Sequence, residues 1–553
     1  MLERCTPWPK ALAAHYRALG YWRGETLGAH LRRWAAERSQ SIAVIHGEQQ
    51  LTYEELDRRA DILAGRLSES GLRDRDRIVV QLGNSLFFFP LIFACFRTGV
   101  IPILALPAHR ESEIAHFAAH GRAAAYAVAG AGRFDYLSLA REVCKRVPAV
   151  KLVLVDSEDA AEFFSLSQIV NSSARGAAVN PGEDRGKADD VALFLLSGGT
   201  TGYSKLIPRT HDDYSYNFRR SSEIAGFDEN TRYLAALPVS HNFPLGSPGA
   251  LGVFERGGTV VLTDDPSPAN ALKMIERERI THTAVVPTIA LRWIESPVAR
   301  SVNLSSLRVL QVGGARLAEE VGSKIQPVLG CTLQQVFGMA EGLLNFTRLD
   351  DAEDLIVSSQ GYSMCSDDEL RFVDENGKDV PDGSPGELLV RGPYTLRGYY
   401  DAPEHNARSF TKDGYYRTGD VVRRLPTGHL VVEGRVKDLI NRGGEKISAE
   451  DVENHLLAHP RIRDASVVAM PDREFGERAC AFIVTRGGEA IDLQEVTSFL
   501  AGRRIAKFLY PERVEVVDAL PLTNVGKVNK KALRDTIAAK LSTVSIPEEH
   551  GCG

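Results

Sequence analysis

A loop rich in glycine, hydroxyl and lysine side chains follows an apolar run in the first half of the chain. The run VALFLL (191–196) leads directly into SGGTTGYSK (197–205). Glycine lets a backbone approach a ligand closely, and Ser, Thr and Lys supply hydrogen-bond donors, so this composition after a buried strand suits phosphate oxygens. In the Walker pattern lysine directly follows glycine and precedes Ser or Thr, which is not the case here. The sequence therefore predicts a phosphate-binding loop outside the ordinary P-loop class, with a glycine-rich surface turn as the alternative.

Further short motifs follow that loop along the chain. They are QQVFGMAEG (334–342), YYRTGDVV (415–422), GRVKDLINRGGEKIS (434–448) and PLTNVGKVNKK (521–531). Together with the first loop, their order and intervals resemble the core motifs of the adenylate-forming superfamily, which includes acyl-CoA synthetases, luciferases and the adenylation domains of nonribosomal peptide synthesis. The resemblance covers nearly the whole chain. It implies a reaction that joins a carboxylate to the α-phosphate of ATP, expels pyrophosphate, and then passes the acyl group to a thiol.

The resemblance also implies which residues bind ATP and Mg²⁺. Glu341 of GMAEG would hold the metal together with the phosphates, a common arrangement for this hard cation, and a solvated loop acid is the alternative. Asp420 of RTGD would accept both ribose hydroxyls, and Arg435 would help on the same ribose or on the phosphate. VGGAR (312–316) and QQVFG would form the adenine slot, although Phe337 could equally be a core residue. The expected ATP-binding residues are Ser197, Gly198, Gly199, Thr200, Thr201, Lys205, Gly313, Gly314, Val336, Phe337, Gly338, Asp420 and Arg435.

A lysine close to the C-terminus is the first candidate for catalysis. Lys527 of NVGKVNKK matches the superfamily lysine that bridges the carboxylate and α-phosphate oxygens. Its positive charge would offset the repulsion between the two anions. The basic residues that follow are predicted to be solvated helix charges instead, namely Lys530, Lys531 and Arg534.

The motif GRVKD implies a hinge. By the resemblance, a C-terminal domain would rotate about Lys437 and bring a second glycine-rich loop into the site, where it would shape a tunnel for the thiol. A basic turn with no moving part is the alternative. The residues expected in that thiolation loop are Gly443, Gly444, Glu445 and Lys446.

Two stretches narrow the resemblance to one branch of the superfamily. LPVSHNFPLGSPGALGVF (237–254) and GMAEGLLNFTRLDD (338–351) resemble the branch that activates 2-hydroxyaryl acids for siderophore-type peptide synthesis. Asn242 would then hydrogen-bond the ortho hydroxyl, and His241 would flank the reacting carboxyl group as a second catalytic residue. A flat, ring-sized pocket would be lined by Phe243, Ala315, Val336 and Leu344.

Two pocket positions point to different acids. Ser247 resembles the members that take 2,3-dihydroxybenzoate, whose 3-hydroxyl it could meet, whereas Leu344 resembles the salicylate users. The exact acid stays open. We favour 2,3-dihydroxybenzoate slightly, because a buried hydroxyl left unpaired would cost ~1 to 3 kcal/mol and Ser247 can prevent that.

These residues together predict a stand-alone aryl-acid adenylating enzyme that loads the phosphopantetheine thiol of an aryl carrier protein. One alternative keeps the fold but makes the chain an acyl-CoA synthetase for another aromatic or fatty acid. A second alternative, a noncatalytic nucleotide-binding module, is disfavoured because Lys527, Glu341 and Asp420 occur together. The sequence contains neither H-E-x-x-H nor G-x-S-x-G, so metalloprotease and serine-hydrolase activities have little support.

The elements that must position these side chains have an α/β pattern. Residues 51–72 carry apolar side chains at helical spacing and precede the apolar run RIVV (77–80), and further short apolar runs end at Gly, Ser or Asp. Such runs predict mostly parallel strands that are buried on both faces. After about residue 368, alternating segments joined by Asn-Gly, Asp-Gly and Pro-Gly predict antiparallel hairpins.

The resemblance supplies the domain organisation. It implies a large N-terminal adenylation domain (1–433) of three subdomains, made of two α/β sheets packed by helices and a small distorted β-barrel. A hinge (434–438) and a small mobile α+β lid domain (439–553) would follow. Ser448 and Asp451 form a predicted capping box for the first lid helix.

Composition excludes several classes of partner and location. The 553 residues carry 66 Lys and Arg against 72 Asp and Glu, a formal charge of −6, which argues against nucleic-acid or membrane attraction. The 7 cysteines are scattered without a C-x-x-C pair, which is typical of a reducing compartment without structural zinc. The start lacks a signal-peptide pattern. The apolar stretch 86–96 contains a proline and is far shorter than the ~20 residues of a membrane span, so it predicts a buried helix. With the cysteine pattern, these features predict a cytoplasmic protein.

Overall fold

The computed structural model describes residues 1–130, 134–173, 184–197, 204–442, 445–472, 474–503, 505–523 and 526–544. The strands in chain order are β1 (Ile42–His46), β2 (Gln49–Thr52), β3 (Arg77–Gln81), β4 (Ile101–Leu104), β5 (Ala123–Ala129), β6 (Leu152–Asp156), β7 (Phe164–Ser165), β8 (Val191–Leu196), β9 (Leu206–Thr210), β10 (Arg232–Ala235), β11 (Thr259–Leu262), β12 (His282–Val285), β13 (Val309–Gly313), β14 (Thr332–Met339), β15 (Gly342–Phe346), β16 (Tyr362–Ser363), β17 (Glu369–Val373), β18 (Gly386–Arg391), β19 (Tyr416–Arg424), β20 (Leu430–Arg435), β21 (Ile440–Arg442), β22 (Glu445–Ile447), β23 (Ile462–Asp472), β24 (Gly476–Thr485) and β25 (Arg513–Val516).

The α-helices in chain order are α1 (Lys10–Ala18), α2 (Leu27–Arg38), α3 (Tyr53–Glu69), α4 (Phe88–Thr98), α5 (Glu111–His120), α6 (Tyr136–Arg146), α7 (Leu166–Ser173), α8 (His211–Ile224), α9 (Asn242–Gly246), α10 (Gly249–Arg256), α11 (Pro268–Glu278), α12 (Pro287–Glu295), α13 (Glu319–Gly322), α14 (Ile325–Leu329), α15 (Glu353–Ser358), α16 (Pro403–Ser409), α17 (Ala449–Leu457), α18 (Leu493–Gly502) and α19 (Lys530–Val544).

The first sheet positions the phosphate loop. Its strand order is β7-β6-β5-β3-β4-β8-β9, in which all neighbours run parallel except the final pair, β8 and β9. Strand β8 is the apolar run VALFLL, which is nearly fully buried, as the sequence predicts. Because β8 and β9 pair antiparallel with Leu196 opposite Leu206, the two ends of the loop between them lie side by side.

The second sheet positions the predicted acid and adenine residues. Its order is β16-β15-β14-β13-β12-β10-β11-β1-β2, with a parallel centre and antiparallel strands at both edges. The carboxyl ends of β10, β13 and β14 therefore reach the same edge of the sheet, where ligands of open parallel sheets bind. The chain leaves that edge toward His241 after β10, reaches Gly314 after β13, and turns at Glu341 after β14.

The predicted buried helix is confirmed. Helix α4 is buried along its whole length and belongs to the large core between the sheets. Pro90 lies in its first turn, where the missing N–H has no intrahelical partner to lose. No helix in the described part of the chain is long and apolar enough to span a membrane.

Two smaller units complete the chain. Strands β17-β18-β19-β20 form an antiparallel sheet with β17 and β20 at its outer edges, where the resemblance implied a small distorted barrel. The C-terminal domain has a sheet of order β22-β21-β24-β23, with β25 parallel to β24, and helices α17 to α19. It has hydrophobic clusters of its own, so the α/β class with a small α+β C-terminal domain agrees with the prediction.

The predicted capping box at α17 is only half formed. Ser448 Oγ accepts the Asp451 N–H at 3.2 Å, as expected of an N-cap. The Asp451 carboxylate does not return to the Ser448 backbone but accepts from Arg316 Nη1 at 3.3 Å. An ion pair with the large domain has replaced the local hydrogen bond.

Candidate active site

The phosphate loop is closed at its base by two hydrogen bonds. The Ser197 N–H donates to the Lys205 carbonyl at 3.0 Å, and the Lys205 N–H donates to Ser197 Oγ at 2.9 Å. Ser197 is buried. Its hydroxyl therefore holds the loop shut in addition to any contact with phosphate. The other predicted residues of this loop lie outside the described residues, namely Gly198, Gly199, Thr200 and Thr201.

Glu341 lies in the turn between β14 and β15 and is held by an aromatic pair that the sequence analysis did not identify. Its Oε1 accepts from the Tyr399 hydroxyl at 2.8 Å, and Tyr399 in turn accepts from Tyr416 at 2.9 Å. Burial and the neighbouring Glu341 charge raise the pKa of Tyr399, so this hydroxyl remains a neutral donor. Gly342 follows with φ +133°, and a Cβ there would overlap the backbone of Thr395. One carboxylate oxygen is thus fixed while Oε2 can meet a hard cation, which fits the predicted Mg²⁺ site.

Asp420 and Arg435 face each other across the β19–β20 ladder. They are direct cross-strand partners, and Arg435 Nε lies 2.8 Å from Asp420 Oδ1. Asp420 is buried, which raises the pKa of its carboxyl, whereas Arg435 and Lys527 lower it. No described residue donates a hydrogen bond to the second carboxylate oxygen, so it can accept one from a ribose hydroxyl.

Lys527 of the C-terminal domain reaches this cleft. A Cβ on Gly314 would lie 3.0 Å from Lys527 Cε, so the glycine makes room for the lysine side chain. Burial and the nearby Arg435 lower the pKa of Lys527 to about 8, and Asp420 and Glu341 oppose that change. The lysine therefore lies within electrostatic range of both predicted nucleotide-site acids.

Two threonines hold the Lys527 turn, and the sequence analysis identified neither. Within the C-terminal domain, the Thr523 N–H donates to the Lys527 carbonyl at 2.6 Å and Thr523 Oγ1 accepts the Lys527 N–H at 3.2 Å. From the large domain, Thr288 Oγ1 at the start of α12 donates to the Gly526 carbonyl at 3.0 Å. The hydroxyl of Thr288 thus links the large domain to the lysine turn.

The prediction of solvated charges after Lys527 is wrong for two residues. Lys530 Nζ lies 2.8 Å from Glu453 Oε1 of α17, and Arg534 Nη1 lies 2.6 Å from Asp438 Oδ1. Helix α19 packs against β23 beside α17, so its first turn faces acidic side chains rather than water. Lys531 is exposed, as predicted.

His241 is the N-cap of α9 and is neutral. Its Nδ1 accepts the Phe243 N–H at 3.2 Å, which places the ring proton on Nε2. Burial and the nearby Lys527 charge lower the pKa of His241 to about 3. At neutral pH the ring can donate a hydrogen bond through Nε2 but carries no charge. The charge of Lys527 thus acts on both His241 and Asp420, so its amine lies within electrostatic range of the predicted acid pocket and of the predicted nucleotide site.

Asn242 and Ser247, which the resemblance directs toward the substrate, are hydrogen-bonded to each other. Asn242 Nδ2 donates to Ser247 Oγ at 3.1 Å, and both residues are buried. Asn242 Oδ1 accepts from the hydroxyl of Tyr214, on α8, at 2.9 Å. The sequence carries no spacing signal for Tyr214, because it lies 28 positions away in another helix.

Two glycines predicted for the adenine slot also shape the pocket wall. A Cβ on Gly313 would lie 2.6 Å from the Val336 carbonyl and 3.2 Å from the Phe243 ring. A Cβ on Gly338 would overlap the Leu344 side chain. Phe243 and Val336 therefore flank Gly313, whereas Leu344 packs over Gly338 on the neighbouring strand pair. Gly314 and Ala315 are exposed, and Phe337 is half-buried against the large core.

The backbone of Leu344 is fixed by a second buried tyrosine. The Leu344 N–H donates to Tyr394 Oη at 3.1 Å, and Tyr394 donates to Asp368 Oδ2 at 2.6 Å. Burial raises the pKa of Asp368 to about 8. Strand β15, which carries Leu344, is thereby tied to the loop before β17.

The segment between the domains carries Lys437 in a single 3-10 turn, Val436–Asp438. Burial and the neighbouring Arg435 lower the pKa of Lys437. Next to it, Asp438 pairs with Arg534, as described above. Gly443 and Gly444 of the predicted thiolation loop lie outside the described residues, and Glu445 and Lys446 lie in β22, which pairs with β21 within the C-terminal domain.

Among the described residues, the contacts between the two domains include ion pairs as well as apolar packing of Leu457 against the large domain. Arg316 Nη1 of the large domain lies 3.3 Å from Asp451 of α17. Arg486 of the C-terminal domain pairs with Glu295 of α12. A cavity of about 650 Å³ beside this ion pair is lined by both domains.

Comparison with known proteins gives consistent matches along the chain. Residues 31–400 match the family model for AMP-binding enzymes, and residues 451–527 match that for the AMP-binding enzyme C-terminal domain. The chain is 52% identical to a 2,3-dihydroxybenzoate-AMP ligase of Bacillus subtilis strain 168, covering 98% of this chain and 99% of that one. It is 50% identical, with the same coverage, to a salicylyl-CoA synthase / salicylate adenylyltransferase of a Streptomyces species. The apo structure of Mycobacterium smegmatis MbtA, 45% identical, superposes with a TM-score of 0.74 over 96% of this chain and 98% of that one.

Proposed function

Since the chain belongs to the AMP-binding enzyme family, we propose that it is an ATP-dependent aryl-acid ligase that adenylates a 2-hydroxyaryl acid and loads it onto a carrier protein. The observation that carries the proposal is the position of Lys527, whose charge acts on His241 of the acid pocket and on Asp420 of the nucleotide site. A positive group within electrostatic range of both sites can draw a carboxylate and an α-phosphate together.

In the first half-reaction a carboxylate oxygen of the acid bonds to the α-phosphorus of ATP and pyrophosphate leaves. Both partners are anions, so the chain's task is to position them and to offset their charge. Lys527 would bridge the carboxylate and the α-phosphate oxygens, and the Nε2–H of neutral His241 would orient the carboxyl group. Asp420 would bind the ribose hydroxyls with Arg435 beside it. Mg²⁺ held by Glu341 would neutralise the departing phosphates.

The amide–hydroxyl pair in the pocket supports a 2-hydroxyaryl acid. Asn242 Nδ2 has a second proton, for which the described residues provide no acceptor, and an ortho hydroxyl oxygen could accept it. Ser247 Oγ already accepts from Asn242, so its own proton can go to a 3-hydroxyl. This supports 2,3-dihydroxybenzoate slightly over salicylate, which the buried Leu344 would favour.

The second half-reaction passes the aryl group from AMP to a thiol. We propose that the C-terminal domain rotates about Lys437, withdraws Lys527, and presents the segment 443–446 to the cleft. The ion pairs Arg316–Asp451 and Arg486–Glu295 join the domains through side chains that water can solvate, which supports such a rotation. We assign the thiol to the phosphopantetheine of an aryl carrier protein and the location to the cytoplasm. Free thiols at the described cysteines are typical of a reducing compartment.

The test of substrate class is ATP–pyrophosphate exchange with salicylate, 2,3-dihydroxybenzoate, benzoate and decanoate. We expect exchange with the two 2-hydroxy acids to exceed that with benzoate by roughly ten- to hundredfold, because benzoate leaves the Asn242 N–H unpaired. The variant Asn242→Ala should narrow that ratio. Equal rates with benzoate or decanoate in the unmodified protein would contradict the pocket assignment.

The test of the acceptor compares thiols. With aryl-AMP formed in place, transfer to a phosphopantetheinylated aryl carrier protein should be far more efficient than transfer to free coenzyme A. Efficient aryl-CoA formation would instead support the acyl-CoA synthetase alternative.

A further inference from the structure

The orientation of one buried side-chain amide decides what the pocket offers to its substrate. Resting on the function proposed above, we propose that Tyr214 is a specificity-determining positioning residue: it holds the Asn242 amide so that the pocket presents an N–H donor, and not a carbonyl acceptor, to the ortho substituent of the acid. The pocket would then select an ortho hydroxyl over an ortho amino group.

The hydrogen bonds around Asn242 define this orientation. The Tyr214 hydroxyl donates to Oδ1 at 2.9 Å, and Nδ2 donates to Ser247 Oγ at 3.1 Å. Tyr214 is fully buried, and burial raises its pKa, so the hydroxyl stays protonated. In the flipped amide Nδ2 would face Tyr214, and the tyrosine proton would have no acceptor among the described residues. Burying a donor without a partner is unfavourable, so Tyr214 selects one of the two amide orientations.

Tyr214 is itself held in place from two sides. The Arg209 guanidinium lies 4.9 Å from the centre of its ring, and Arg209 is anchored by Asp213 at 2.7 Å and by the Ala340 carbonyl at 3.1 Å. On the other side, a Cβ on Gly246 would lie 2.5 Å from Tyr214 Oη. The ring therefore has little freedom to withdraw its hydroxyl from Asn242.

The consequence for the substrate follows from donor and acceptor chemistry. In a 2-hydroxyaryl acid the hydroxyl proton can bond the neighbouring carboxylate, which leaves the oxygen lone pairs to accept the Asn242 N–H. In a 2-aminoaryl acid the nitrogen lone pair is delocalised into the ring, and its second N–H would point at the Asn242 N–H. Two N–H donors would then face each other, so the fixed Asn242 amide disfavours the 2-aminoaryl acid.

The experiment is ATP–pyrophosphate exchange of Tyr214→Phe with salicylate and 2-aminobenzoate, measured as the ratio of the two kcat/KM values. The unmodified protein should prefer salicylate by roughly ten- to hundredfold, the effect of one mispaired buried hydrogen bond. Tyr214→Phe frees the amide to turn its carbonyl toward the pocket, so the ratio should fall at least tenfold, mainly through the KM of each acid. Tyr233→Phe is the matched control, because Tyr233 is a buried tyrosine whose hydroxyl has no hydrogen-bond partner among the described residues. It should keep the original ratio.

Each outcome bears on the proposal. A folded and active Tyr214→Phe protein with the original ratio overturns it, and so does an unmodified protein that uses both acids equally well. The second of these tests needs no variant, so it stands even if Tyr214→Phe does not fold. Gly246→Ala, which should displace the tyrosine hydroxyl without removing it, should lower the ratio like Tyr214→Phe. Exchange with neither salicylate nor 2,3-dihydroxybenzoate in the unmodified protein would instead refute the proposed function on which the inference rests.

Discussion

Removing the amine of Lys527 should separate the two half-reactions. In Lys527→Ala the carboxylate and the α-phosphate lose the charge that would draw them together, so adenylate formation should fall. Transfer of the aryl group from supplied aryl-AMP to the carrier thiol should survive, because Lys527 would leave the cleft before that step.

The size of the effect can be worked out from the burial of the amine. Burial and Arg435 lower the pKa of Lys527 from 10.5 to about 8. At 1.36 kcal/mol per pKa unit this difference corresponds to ~3 kcal/mol, the net cost of keeping the ammonium charged in the cleft before ATP and the acid bind. If the substrate carboxylate and the α-phosphate offset that cost in the transition state, Lys527→Ala should lower the rate of adenylate formation by ~10²-fold. This agrees with the roughly 10²- to 10³-fold effect of one preorganised electrostatic group.

Two assays test this prediction on the same protein. ATP–pyrophosphate exchange measures the first half-reaction, and single-turnover transfer from supplied aryl-AMP to the holo carrier protein measures the second. Lys531→Ala removes an exposed lysine from the same segment and should change neither rate. Equal loss of both half-reactions in Lys527→Ala, or exchange that survives within tenfold, would refute the reasoning.

The pH dependence gives an independent check. Because the folded-state pKa of Lys527 is lowered to about 8, the amine is charged below that pH and loses its proton as the pH rises through it. The kcat/KM for exchange should therefore decline above about pH 8. Lys527→Arg keeps its charge throughout this range and should flatten the decline. A profile that is unchanged by the arginine would assign the decline to another group.

Three further changes test the hinge, the specificity position and the metal site. Lys437→Pro fixes φ where the chain would need two conformations, so exchange should persist while thiol transfer drops; equal rates in both assays would argue against a hinge there. Ser247→Cys replaces a good hydrogen-bond partner of Asn242 and of a 3-hydroxyl with a weak one, so the kcat/KM ratio should shift toward salicylate; an unchanged ratio would remove Ser247 from the specificity argument. Glu341→Gln keeps the shape but removes the charge, so half-maximal exchange should need at least about tenfold more Mg²⁺, and an unchanged requirement would place the metal elsewhere.

Local sequence patterns were sufficient for most of the secondary structure near the site. The apolar run 191–196 forms β8, and the stretch 86–96 contains most of the buried helix α4. Residues 51–72 contain α3, which begins after Thr52, whose side chain accepts the Glu55 N–H at 3.1 Å. Side-chain periodicity and capping depend on residues a few positions apart, so a single sequence shows them directly.

The motifs also nominate the residues of the candidate site. Glu341, Asp420, Arg435 and Lys527 are far apart in the chain, but the fold brings Lys527 within electrostatic range of the other three. The sequence could nominate them because each belongs to a short motif in a recognisable order. It could not indicate that burial lowers the pKa of Lys527 to about 8, because that value depends on what surrounds the amine.

Which charged side chains form ion pairs across distant segments was decided only by the tertiary structure. Lys530 and Arg534 look like solvated helix charges in sequence but pair with Glu453 and Asp438. Asp451, expected to complete a local capping box, instead pairs with Arg316 of the large domain.

In the substrate pocket, too, the sequence determines the residue types and the tertiary structure decides their contacts. The sequence by itself determined that an amide and a hydroxyl stand at positions 242 and 247, and its resemblance to aryl-acid ligases implied a ring-sized pocket around them. Only the packing of α8 against α9 decided that the Tyr214 hydroxyl meets the amide, and thereby which of its two ends faces Ser247. Periodicity and turn chemistry are properties of neighbouring residues, whereas hydrogen-bond polarity and pKa arise from contacts through space, which exist only once the helices and sheets have packed.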